Sequence, residues 1–244
     1  MARAQRTDGH ARQTVVNASP LWPAAASIAS AVVDWIGVAF RRPWIEYAAK
    51  PAAIVFLILW ILVSVPSPAA WTLPGALILA ALTLSLLGDI LLMLPSGRFL
   101  AGLSIFLLAH LSYILALNWG RSALVAGEAL TAAAVLAVLA LLLPPVRAGL
   151  RRSGHPGLVA PVVLYAAVLG AMLWSSFGTL LRPSWLAAGA GWIAAGGLAF
   201  FASDVSLIID RFVRPLPGRR VTTHVLYHLA QVALTTGAIL SLSG

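Results

Sequence analysis

The sequence predicts an all-α protein built as a polytopic transmembrane helix bundle, with seven firm spans and an eighth if a segment near the N-terminus also crosses. Three observations predict it. Of the 244 residues, 61% are hydrophobic and only 9% charged, with a mean hydropathy of +0.95, whereas a soluble domain has roughly 25% charged residues. The apolar residues gather into runs of about 20, the length that a helix rising 1.5 Å per residue needs to cross a bilayer. The basic residues sit in short clusters between those runs, where topology signals belong. A formal charge of +9 therefore reads as attraction to an anionic membrane surface, and no nucleic-acid partner is expected. No cysteine occurs, which excludes a disulfide framework, a CxxC metal site and a cysteine nucleophile.

Residues 1–20 are polar, carry Arg3, Arg6 and Arg12, and lack the apolar core of a signal peptide, so they are expected to form a disordered tail. Residues 21–43 are expected to be an interfacial helix or a weak extra span. The stretch 24–40 is apolar but short, contains Asp34, and ends at Arg41, Arg42 and Pro43. The transmembrane domain occupies 44–244. Its apolar runs fall at 47–65, 73–94, 99–119, 124–143, 158–177, 185–209 and 221–242, with proline and glycine in the breaks: Pro66, Pro68 and Pro74, Pro95 with Gly97, Pro144 with Pro145, Pro183, and Pro215 with Pro217 and Gly218.

Lys and Arg in short loops are retained on the cytoplasmic side. In a seven-span arrangement Arg41, Arg42, Lys50, Arg98, Arg147, Arg151, Arg152, Arg211, Arg214, Arg219 and Arg220 share one side, and only Arg121 and Arg182 lie on the other. This bias predicts a multi-pass protein of the cell (inner) membrane with its C-terminus outside. The chain also reads as a diverged duplication. Lys50-Pro51 parallels Ala160-Pro161, Ser85 with Asp89 parallels Ser203-Asp204, and His110-Leu111-x-Tyr113 parallels His228-Leu229-x-Gln231. Three spans, a linker span and three more give parallel repeats related by an axis along the membrane normal.

Asp89 and Asp204 are the candidate catalytic residues. Each interrupts an aliphatic run, and an ionisable group at membrane depth costs at least about 2.5 to 3.5 kcal/mol, so it normally marks a function. Asp89 lies seven residues before Ser96 and Asp204 seven before Arg211, which puts both about 10 Å inside the cytoplasmic ends of their spans. Candidate substrate-binding residues surround them. Ser85, one helical turn from Asp89, is expected to hydrogen-bond it. His224, Tyr227, His228, Gln231 and Thr235 keep one face of the last span; His110 and Tyr113 share a face of the third, and Lys50 opens the first. Duller roles exist for each: Lys50 could pair with Glu46 or snorkel, His110 and Tyr113 could be interhelical glue, and Glu128 and Asp34 read as structural. No GxSxG, HExxH, Walker A or dinucleotide-binding pattern stands in a suitable context.

Lys50-Pro51, SLLGDILLML around Asp89, GLSIFLLAHLSY with His110 and Tyr113, FFASDVSLIIDRF around Asp204, and VLYHLAQ with Tyr227 and Gln231 together resemble the YhhN/TMEM86 family of integral membrane lysoplasmalogenases over residues 44–244. Family members are described with about eight membrane segments, which bears on 24–40. The family shows a tyrosine doublet ahead of the glutamine in the last span, where this chain has Tyr227 followed by His228. The resemblance implies cleavage of the vinyl ether of a lysophospholipid substrate to a fatty aldehyde and a glycerophospho-ethanolamine or -choline. That chemistry needs one protonated carboxyl to donate to the β-carbon and one ionised carboxylate to stabilise the resulting oxocarbenium ion. It needs no metal and no other cofactor, and Lys50, expected near the cytoplasmic mouth of the cavity, would hold the substrate's phosphate. Two readings from other classes compete: a transporter with a 3+1+3 repeat, and a non-catalytic lipid-binding membrane protein. The few polar residues in the outer halves of spans two and six speak against a through-path.

Overall fold

The computed structural model describes residues 20–94, 98–121 and 123–243. The expected N-terminal tail, including Arg3, Arg6 and Arg12, lies outside the described residues except for Pro20, and so does Ser96. Among the described residues the chain is helical without strands: α1 (Trp22–Ala39), α2 (Pro43–Ser64), the single turn α3 (Ser67–Ala70), α4 (Leu73–Met93), α5 (Phe99–Leu117), α6 (Ala126–Arg152), α7 (Val159–Gly178), α8 (Ala187–Phe212) and α9 (Arg219–Ser243). Eight of these are long and apolar enough to cross a membrane. Helices are the expected solution, because they satisfy every backbone polar group within the segment.

The eighth candidate span is α1, at 18 residues with Asp34 inside it. It lies along the bundle and not across it. Arg41, in the left-handed region at φ 54°, closes α1, and the Arg42 amide donates back to the carbonyl of Gly37 at 2.8 Å. The chain then turns directly into α2 at Pro43, whose fixed φ suits the first helical turn. α1 runs antiparallel against α2 along its length: Gly37 sits against Ile45, and the Ser27 hydroxyl donates to the carbonyl of Ala53 at 2.9 Å.

Small residues set the closest approaches, as expected where lipid supplies no hydrophobic drive between helices. At Gly196 of α8 a Cβ would come within 2.8 Å of the Leu234 amide nitrogen on α9, and at Gly237 within 2.7 Å of the Gly189 carbonyl. Gly88 of α4 receives the Phe106 ring of α5, which would be 2.6 Å from an added Cβ. α2, α4 and α9 pack together on one side and α5, α7 and α8 on the other, while α6 is peripheral, with Leu130, Leu136 and Leu141 strongly exposed.

The connections α1–α2, α6–α7 and α8–α9 and the start of α5 carry Arg41, Arg42, Arg98, Arg151, Arg152, Arg211, Arg214 and Arg220; this is the basic end of the bundle. At the opposite end Glu128 is fully buried and clamped. It accepts from Arg121 at 2.7 Å, from Arg182 at 2.8 Å and from the Val125 amide at 3.0 Å, and Arg182 continues to the Leu117 carbonyl and to Asn118. The two arginines on the wrong side for the charge bias are thus internal partners of one carboxylate, and the structural reading of Glu128 agrees with this geometry.

Candidate active site

Both aspartates face a single cavity of about 340 Å³ near the basic end. Lys50 from the second turn of α2 reaches across to α4, where its Nζ lies 2.9 Å from Asp89 Oδ1. On the other oxygen of Asp89 the Tyr227 hydroxyl of α9 donates at 2.6 Å. Asp204 of α8 accepts a short hydrogen bond from the Tyr165 hydroxyl of α7 and faces His110 Nε2 of α5 at 3.6 Å. Each carboxylate therefore has one tyrosine donor and one basic neighbour, but only Asp89 is paired with a permanent cation. That asymmetry is the chemical content of the site.

His110 is oriented from its own helix. Its Nδ1 lies 2.6 Å from the Phe106 carbonyl, which can only accept, so Nδ1 carries the hydrogen and the lone pair of Nε2 points toward Asp204. Nε2 has no hydrogen-bond partner among the described residues. Phe200, Phe106 and Tyr165 crowd the imidazole and Tyr227 edge to face. Behind Tyr227, Gln231 donates to the phenol oxygen at 3.3 Å and accepts from the Tyr113 hydroxyl at 2.8 Å, so the chain Tyr113–Gln231–Tyr227–Asp89 fixes the phenol's direction.

Of the expected substrate-binding residues, Lys50 and Tyr227 line the cavity. Ser85, His110, Tyr113, His228 and Gln231 stand behind its wall and are buried. Two expectations are corrected. Ser85 makes no hydrogen bond among the described residues, since its hydroxyl is buried one turn away while Lys50 and Tyr227 occupy both oxygens of Asp89. Lys50 is neither at the mouth nor paired with Glu46. It is 8% exposed and engaged with Asp89, while Glu46 accepts a short bond from Arg220.

Sequence reasoning missed Tyr165 and gave Asp34 no role near the site. Asp34 is fully buried, and its Oδ2 lies 2.7 Å from His224 Nδ1. Next to it the Trp35 indole donates to His228 Nδ1 at 3.1 Å. A carboxylate inside an apolar helix carried the same costly signal as Asp89, but a segment expected on the membrane surface gave it an easy alternative. Tyr165 was a lone phenol in an aliphatic run, a far weaker signal.

Toward the basic end the cavity opens into a vestibule of about 990 Å³ lined by Arg41, Arg42, Arg211 and Arg220 together with Glu46 and Asp210; the last four of these line both spaces. Arg211 is held over the Phe99 ring at 4.5 Å.

The chain is similar to named proteins over most of its length. A family model described as the YhhN family matches residues 45–238. The lysoplasmalogenase TMEM86B of Rattus norvegicus is 33% identical over 223 residues, 90% of this chain and 84% of that protein, and the mouse TMEM86B is 30% identical over 221 residues, 89% and 86%. A lysoplasmalogenase of Mycobacterium bovis is 34% identical over 164 residues, 64% of this chain and 58% of that protein. No solved structure matches. A family model that covers the whole site, from Glu46 to Gln231, together with relatives aligned along nine tenths of the chain, leads to one conclusion: this multi-pass membrane protein belongs to the YhhN family.

Proposed function

We propose that the protein hydrolyses the vinyl ether of lysoplasmalogens, with Asp204 as the proton donor and Asp89 as the ionised partner. The observation that carries this is the unequal pair in one cavity: Lys50 neutralises Asp89 alone, which leaves Asp204 as the member that holds a proton. Asp204 protonates the β-carbon of the vinyl ether, whose π electrons form the new C–H bond. The positive charge on the former ether carbon and oxygen faces Asp89. Water then adds to that carbon and returns a proton to Asp204, with His110 Nε2 beside it as an alternative acceptor. The hemiacetal collapses to aldehyde as the glycerol oxygen departs with a proton. Atoms balance, and the donor is regenerated in each turnover.

Lys50 is too deep to bind the substrate phosphate. Arg211 and Arg220 at the vestibule take that role in this reading, Arg211 standing about two helical turns or 10 Å from Asp204 along α8. The clamp of Glu128 by Arg121 and Arg182 at the far end favours a hydrolase over a carrier, which would have to open there. The bundle has the basic end in the cytoplasm and, with α1 crossing, both termini outside. Eleven basic residues then face inward against five outside, which are Arg121 and Arg182 with Arg3, Arg6 and Arg12.

The test is aldehyde release from alkenyl-lysophosphoethanolamine by the purified protein in heavy water, with the aldehyde trapped as it forms. One deuterium at the carbon next to the aldehyde is expected, because the proton donor exchanges with solvent. Absence of aldehyde, or aldehyde without that deuterium, overturns the reading.

A further inference from the structure

The vestibule and cavity accommodate the headgroup and the ether, which leaves the long hydrocarbon tail of the substrate without a place. A second, narrow crevice of about 40 Å³, room for only the first carbons of a chain, adjoins Asp204 from the other side. It runs between α6, α7 and α8, and Tyr165 and Asp204 belong to its walls as well as to those of the polar cavity. The rest of its lining is aliphatic or aromatic, including Leu142 and Val146 of α6, Val162 and Ala166 of α7, and Val205 and Ile208 of α8. Asp204 thus belongs to the walls of a polar chamber, which its carboxylate faces, and of an apolar one on its other side. A vinyl ether lipid has that polarity at its reacting bond, with glycerol on the oxygen and hydrocarbon on the carbon.

The local architecture fits an opening toward lipid. α6 is the peripheral helix, and it carries Pro144 and Pro145 inside it, immediately between Leu142 and Val146. Each proline removes a backbone hydrogen bond and weakens the helix there. At its end farther from the basic side, Leu139 of α6 packs against Gly170 of α7 and narrows the crevice. A tail leaving Asp204 therefore passes outward beside α6.

We infer that this α6–α7–α8 crevice is the alkenyl-chain subsite, through which a single hydrocarbon chain enters sideways from the bilayer with its ether held at Asp204. The inference rests on the vinyl ether hydrolase reading and adds to it the residues that select the chain. Filling the crevice then penalises long chains more than short ones.

The experiment compares kcat/KM for butenyl and octadecenyl lysophosphoethanolamine in the wild type and in Ala166→Phe. A second variant, Leu142→Trp, lies on the peripheral helix and serves if the first does not fold. The ratio of long-chain to short-chain kcat/KM is expected to fall at least about tenfold, the usual scale for adding bulk to an apolar pocket. A lysophospholipid with a diazirine on its hydrocarbon tail should in parallel label α6 and α8 peptides in the wild type. A ratio within about twofold of the wild type, or labelling confined to other helices, overturns the subsite. Wild-type protein that cleaves neither substrate overturns the hydrolase reading instead, and tail labelling of the crevice still decides whether a chain binds there.

Discussion

Asp89 and Asp204 are the same side chain at matching positions, and their neighbours make them different. Removing the carboxyl proton donor or its ionised partner typically costs about a hundredfold or more, so Asp89→Asn and Asp204→Asn should each insert normally and lose at least that in aldehyde release. Lys50 gives the sharper test. Read from sequence as a phosphate clamp, it would act on affinity; engaged with Asp89 at 2.9 Å, it should act on chemistry. Lys50→Met is expected to lower kcat by at least roughly tenfold with little change in KM, while Arg211→Ala raises KM and leaves kcat nearly intact, a split that steady-state kinetics measures directly. The aspartates were legible because a carboxylate in lipid is expensive enough to need a reason. Their partners were not, because Glu46 stands four residues from Lys50 and offers a local ion pair that the folded chain assigns elsewhere, to Arg220. Periodicity placed Tyr227 and Gln231 on one face of α9 correctly, yet only coordinates show that Gln231 steers the phenol from behind.

At the level of helices, the site's precision depends on how closely α8 and α9 and α4 and α5 approach. Gly196 lies against backbone atoms of α9, which have no rotamer to change, so Gly196→Ala should lower stability by about 1 to 3 kcal/mol through overpacking. Gly191, five residues earlier on the same helix, has nothing within 4 Å of an added Cβ, and Gly191→Ala is the matched neutral control. Thermal unfolding of the two variants in detergent distinguishes them. The seven strongly apolar helices were legible from length and hydropathy alone, most with ends displaced by a few residues; the break expected at Pro144 and Pro145 is not one, since α6 runs through both prolines to Arg152. The role of α1 was not legible, since what turns it back along α2 is a non-glycine residue in the left-handed region, Arg41, and no sequence pattern announces that conformation.

For the molecule as a whole, the partners of the two carboxylates come from corresponding helices. Asp89 of α4 is held from α2 and α9; Asp204 of α8 is held from α7 and α5. Exchange of the two triplets would map one set onto the other, and Tyr113 bonds to Gln231, the residue aligned with it in the proposed repeat. This supports the duplication reading. Orientation is tested by alkaline phosphatase fused at each end in turn: activity at both ends is expected, and activity at the C-terminus alone would return α1 to the membrane surface. Glu128→Ala should strand Arg121 and Arg182 and cost about 3 to 5 kcal/mol, visible as a lowered melting temperature without a change in chain-length preference. The long-range bonds to α9 also impose an order of maturation on the nascent protein. Lys50 can meet Asp89 early, and Tyr165 and His110 are at hand when Asp204 is synthesised, but Tyr227 and His224 emerge from the ribosome last, after Asp89 and Asp34 have waited through most of translation. Until α9 inserts, Asp89 lacks its Tyr227 donor and Asp34 its His224 partner.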